Sequence, residues 1–121
     1  MNKHPRNPFF YAISGLKETF RAERNFRIHL VCSVVAIAMG IYTDLSASDW
    51  RWIFLCIGLV LALELLNTAV EAVVDLISPE HHPLAKKAKD AAAAAVLVGA
   101  VFAYLVGISI FLPLLWALLF K

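Results

Sequence analysis

Three apolar runs dominate this chain, from Ile28 to about Tyr42, from Ile53 to about Val74, and from Ala91 to about Leu112. A helix needs about 20 apolar residues to cross about 30 Å of hydrocarbon, and each run approaches that length, the first being the shortest. Backbone groups in lipid must be satisfied within the segment or within a closed barrel, and no barrel-like alternation is present. The runs therefore predict helices. The composition agrees: 61% of the 121 residues are hydrophobic, against roughly 45–50% in soluble domains. The expected fold class is an all-α integral membrane protein, one domain over residues 1–121, with three transmembrane helices at about 28–45, 50–76 and 86–112. Trp50 and Trp52 suit an aromatic belt where the second span begins.

Basic residues orient the spans. Lys3, Arg6, Lys17, Arg21, Arg24, Arg27, Lys86, Lys87 and Lys89 fall on one side, against Arg51 and Lys121 on the other. The positive-inside rule places the N-terminus and the loop around residues 78–90 in the cytoplasm, and the C-terminus outside. A net charge of only +2 gives no reason to expect a nucleic-acid partner. Residues 8–24 set Phe9, Ile13, Leu16 and Phe20 on one side and Lys17, Arg21 and Arg24 elsewhere, which predicts an amphipathic helix along the cytoplasmic interface. Pro79 and Pro83 break the chain between the second and third spans, and Pro113 is expected to kink or end the third. Cys32 and Cys56 sit in apolar runs without ligand-spaced partners and read as buried bystanders.

The second run carries an anomaly. Glu64, Asn67, Thr68, Glu71 and Asp75 interrupt a segment that is otherwise Leu, Ala and Val, and at 3.6 residues per turn they share an arc of roughly 100°. An ionisable group in hydrocarbon costs at least ~2.5–3.5 kcal/mol, so such a stripe requires a compensating partner. In the expected orientation Glu64 lies in the inner half of the bilayer, Glu71 near the cytoplasmic surface and Asp75 close to water. The stripe opens toward Glu23, Glu80, His81, His82, Lys89 and Asp90. Carboxylates with a carboxamide suit a hard cation such as Mg²⁺. Lys89 beside Asp90 could hold phosphate oxygens. These groups point to a nucleotide and metal site at the membrane surface.

The strings Glu64-Leu-Leu-Asn67-Thr-Ala-Val-Glu71-Ala-Val-Val-Asp75 and Ala88-Lys89-Asp90 resemble the signatures of the prokaryotic diacylglycerol kinase family. The resemblance continues through Gly15-Leu16-Lys17, Glu23-x-Asn25-Phe26-Arg27 and Glu80-His81-His82, covering residues from about 9 to 112. Arg27-x-His29 and the segment from Ile77-Ser-Pro to Asp90 are similar to the undecaprenol kinase branch; diacylglycerol-specific members tend to be acidic where His29 stands. The resemblance implies an ATP-dependent lipid kinase of the bacterial plasma membrane, a homotrimer with sites shared between subunits. It implies that Glu64 is the catalytic carboxylate, that Glu23 and Glu71 bind the Mg²⁺ of the nucleotide, and that Asn67 is a polar active-site residue, with Asp75 in support. Nucleotide contacts carry over to Tyr11, Glu80, His81, His82, Lys89 and Asp90, beside Glu23 and Glu71. This chain departs from the pattern at His4, where some members have Arg, and at Ala93, which replaces a small polar residue.

Undecaprenol, giving undecaprenyl phosphate, is the expected acceptor, with diacylglycerol, giving phosphatidic acid, as the alternative. A reading from another class is a small proton- or cation-coupled transporter with Glu64 as the carrier carboxylate. It accounts for Glu64 but leaves Glu23, Glu71, Lys89 and Asp90 without a common purpose.

Overall fold

Most helix starts among the described residues have a local cause. A computed structural model describes residues 7–121, so Lys3, His4 and Arg6 lie outside the described residues. Four helices follow one another: α1 Pro8–Ala22, α2 Arg24–Thr43, α3 Ala47–Ile77 and α4 Pro83–Leu119. Among the described residues there is no strand.

α1 begins where the Asn7 side chain accepts a hydrogen bond from Phe9 N at 3.0 Å, with Pro8 in the first turn, where no amide donor is needed. It ends two residues short of the expected residue 24. Glu23 takes an extended conformation and forms the elbow into α2. The Arg27 guanidinium reaches back from α2 and donates to Phe20 O at 2.7 Å and Arg21 O at 2.9 Å, satisfying carbonyls that the end of α1 leaves open. Phe26 and Thr19 are buried at this corner.

α2 thus starts at Arg24, ahead of the apolar run, and closes at Asp44, which adopts the left-handed conformation with φ 53°. Asp tolerates this region better than bulky residues do. Leu45 N then donates to Gly40 O at 3.3 Å, and the Leu45 side chain is buried. α3 is capped by Ser46, whose hydroxyl accepts from Asp49 N at 3.1 Å. α4 is capped by His82, whose Nδ1 accepts from Leu84 N at 3.1 Å.

α2, α3 and α4 are each long and apolar enough to cross a membrane. With 31 and 37 residues, α3 and α4 are about 46 and 55 Å long at 1.5 Å per residue, so both exceed the hydrocarbon thickness and run into its surroundings. Pro113 does not end the helix, because α4 continues to Leu119. Packing outweighs the lost proline donor there: Phe111 is buried with Leu45 and Ile53, and Leu114 and Leu115 pack on the same cluster.

α3 packs most extensively on α4. The two approach closely at Gly99, where an added Cβ would lie 2.5 Å from Leu63 Cδ1. At the other end, Gly40 of α2 lies against Trp50, which stacks on Phe54. Much of the apolar surface faces outward, including Val31, Val34, Ile41, Leu66, Leu97, Val98 and Leu105. These exposed flanks are what a lipid-embedded chain presents.

Candidate active site

The buried residues of α3 are Ile53, Cys56, Val60 and Glu64. Their spacing of three, four and four residues traces one face of a helix, so Glu64 continues the core seam that the three apolar residues begin. This accounts for the acidic stripe: its deepest member is directed into the protein. Glu64 is 4% exposed, as buried as the apolar residues above it.

Along the stripe, burial then falls toward the C-terminal end of α3. Asn67 and Glu71 are half-buried and Asp75 is exposed. Each has a polar partner. His29 Nε2 of α2 lies 3.1 Å from Glu64 Oε1. Asn67 Nδ2 donates to Glu71 Oε1 at 3.2 Å, one turn away on the same helix. Asp75 forms an ion pair with Lys89 of α4.

Below the stripe, Asp75, Glu80, His81, His82, Lys86, Lys89 and Asp90 line a cleft of about 240 Å³ between the end of α3 and the start of α4. Ser78 Oγ donates to Glu80 O at 2.9 Å and holds the turn that forms its floor. Lys86 and Asp90 pair across one turn of α4. Five residues expected at the nucleotide site from sequence are thus brought together here: Glu80, His81, His82, Lys89 and Asp90. His82 has a second task, since its Nδ1 caps α4.

Tyr11, Glu23 and Glu71 do not line this cleft. Tyr11 is exposed on α1, where its ring meets that of Phe10 edge-on at 6.1 Å. Glu23 is half-buried at the α1–α2 elbow. Among the described residues no group of three or more His, Cys, Asp or Glu gathers as a metal-binding set. Mg²⁺ does not require one, because it commonly keeps waters and binds through one or two carboxylates together with substrate phosphates. The oxygen donors beside α3 fit such an ion. Asn67 Oδ1 is buried without a hydrogen-bond donor, next to the carboxylate of Glu71.

His29 is the residue that sequence reasoning missed. From sequence it reads as an interfacial residue at the start of the first span and a marker of a family branch, yet it is the partner of the most buried carboxylate. Nothing in the spacing along α2 reveals this contact, which depends on how α2 is rotated and shifted against α3.

Known proteins share this chain's sequence over most of its length. The sequence model described as prokaryotic diacylglycerol kinase matches residues 10–111. An undecaprenol kinase of Bacillus subtilis (strain 168) is 51% identical over 105 residues, covering 87% of this chain and 85% of that protein. A diacylglycerol kinase of Synechocystis is 45% identical over 112 residues, or 92% of this chain and 64% of the relative. A diacylglycerol kinase of Escherichia coli is 35% identical over 107 residues, 88% of this chain and 84% of its own length. These matches set aside a coupled transporter. With its three apolar helices and a match spanning nearly all of them, the chain belongs to the prokaryotic diacylglycerol kinase family, and it is a membrane lipid kinase.

Proposed function

We propose that this kinase transfers the γ-phosphate of ATP to the hydroxyl of undecaprenol, giving undecaprenyl phosphate. The observation that carries the choice of acceptor is the 51% identity to an undecaprenol kinase along 87% of the chain. Diacylglycerol is the second reading, favoured by the names of the other relatives.

Phosphoryl transfer is mostly positioning and charge neutralisation. The gradient of burial along α3 suits that task, with an exposed polar cleft for a water-borne nucleotide and a buried carboxylate for a membrane-borne alcohol. Lys89, which pairs with Asp75, supplies the cation for the phosphate oxygens of ATP, and Glu80, His81, His82 and Asp90 bound the nucleotide. Tyr11 and Glu23 approach it from the α1 side. Glu23 and Glu71 would hold Mg²⁺, with Asn67 fixing the Glu71 carboxylate, and the ion's charge would offset that of the phosphates. Glu64 takes the proton from the lipid hydroxyl as general base, and the alkoxide oxygen attacks the γ-phosphorus in line with the departing ADP.

In the membrane, the N-terminus and the α3–α4 turn face the cytoplasm and the C-terminus lies outside. α1 rests on the inner surface with Phe9, Ile13, Leu16 and Phe20 toward lipid. The motif resemblance supports a homotrimer with sites shared between subunits.

The test is to reconstitute the purified protein with γ-labelled ATP, Mg²⁺ and equal amounts of undecaprenol and diacylglycerol. Label predominantly in undecaprenyl phosphate is expected. Label predominantly in phosphatidic acid would overturn the choice of acceptor.

A further inference from the structure

We infer that His29 is a positioning residue for phosphoryl transfer, its Nε2–H fixing one oxygen of the Glu64 carboxylate so that the other faces the lipid hydroxyl. The inference rests on the reading of Glu64 as general base. Its own support is geometric. His29 Nε2 lies 3.1 Å from Glu64 Oε1, and their side chains are 24% and 5% exposed. His29 is also the only side chain among the described residues that pairs with Glu64. A carboxylate taken this far out of solvent needs a polar partner. Here that partner comes from a different helix, so it fixes the direction of the carboxylate as well as compensating its burial.

The arrangement follows the general logic of an activated base, in which a third group orients the group that takes the proton. With Oε1 held by the imidazole, Oε2 is the oxygen available to the substrate. As the lipid O–H bond breaks, its proton passes to Oε2. The new O–P bond forms while the bond between the γ-phosphorus and the β–γ bridging oxygen of ATP breaks, and ADP departs. The proton leaves Glu64 for water before the next turnover. The imidazole keeps its own proton throughout, acting on direction and charge and touching neither the lipid nor the nucleotide.

His29→Gln and His29→Asn separate this role from simple packing. Both leave a neutral polar side chain at the α2 surface. Glutamine carries an N–H about as far along the side chain as Nε2, whereas asparagine stops short. The purified full-length protein would be assayed with undecaprenol and γ-labelled ATP. His29→Asn is expected to lower kcat about 10- to 100-fold, the range for one charge-assisted hydrogen bond, with both KM values unchanged. His29→Gln should restore most of the loss. Equal kcat in the two variants, or a change confined to KM, would overturn the inference. Glu64→Gln separates the two levels. If it keeps normal turnover, Glu64 is not the base and the inference falls with it; if it abolishes turnover while His29→Asn leaves kcat at the wild-type value, only the inference falls. A readout independent of activity is ¹⁵N-histidine NMR of the wild-type protein, where His29 should carry its proton on Nε2. A ring protonated on Nδ1 alone would refute it.

Discussion

Val60 and Glu64 stand one turn apart on the same buried face of α3, one 6% and the other 4% exposed. The site therefore begins where the core ends, and a carboxylate occupies a position that packing alone would give to an aliphatic side chain. Replacing both members of a buried pair with apolar residues of similar size is often neutral or stabilising, whereas removing one strands the other. The double variant His29→Leu/Glu64→Leu should then leave thermal stability unchanged or raised, while turnover falls by at least about 10²-fold, the lower end of a general base's usual contribution. Thermal unfolding and label transfer on one preparation check both halves. A large loss of stability would mean that the pair holds the helices together.

Asn67 donates to Glu71, and its own Oδ1 stays buried without a donor. Glu71→Gln keeps an acceptor for Asn67 but removes the negative charge proposed to hold Mg²⁺. Turnover at saturating ATP should drop by about 10²–10³-fold, as expected when a group that stabilises transferring charge is lost. The Mg²⁺ concentration for half-maximal activity should also rise. A magnesium titration of wild type and variant measures it, and an unchanged midpoint would remove Glu71 from the metal site.

The Lys89–Asp75 pair joins α4 to α3, but both side chains are substantially exposed, at 39% and 62%. Exposed pairs contribute roughly 0–1 kcal/mol, so Asp75→Asn should barely move the unfolding midpoint. Lys89→Met removes a phosphate contact and should raise the KM for ATP, leaving the KM for lipid unchanged. Steady-state kinetics with each substrate varied in turn distinguishes the two.

Two glycines sit at close helix approaches with different tolerance. An added Cβ at Gly40 would lie 2.6 Å from Trp50 Cη2 and 3.0 Å from Leu45 Cδ1. The Trp50 ring is stacked on Phe54 and has little room to withdraw. At Gly99 the single severe contact is the far end of Leu63, which can change rotamer. Gly40→Ala should destabilise by about 1–3 kcal/mol, the usual cost of overpacking, and Gly99→Ala by less. Thermal unfolding of the two variants in the same detergent ranks them.

Much of this protein is written locally. Hydropathy marks α2, α3 and α4, because a span must satisfy its own backbone and present apolar side chains along its length. Asn7, Ser46 and the prolines around the α3–α4 turn mark helix ends in the same way. The 3.6-residue period places Glu64, Asn67, Glu71 and Asp75 on one face, and motif resemblance collects Glu80, His81, His82, Lys89 and Asp90.

Other features depend on contacts between segments. The Glu23 elbow is stabilised by Arg27 reaching back to the end of α1, so no property of residues 8–24 alone marks where that helix stops. α4 passes Pro113 because Phe111 and Leu115 are packed against α2 and α3 residues. Hydropathy could say that Glu64 was costly in a membrane; it could not say that the cost is offset by His29. A period along one helix determines which residues share a face. Which residue meets that face from the next helix is set by the rotation and offset of the two helices, and the packing of side chains across α2, α3 and α4 fixes both.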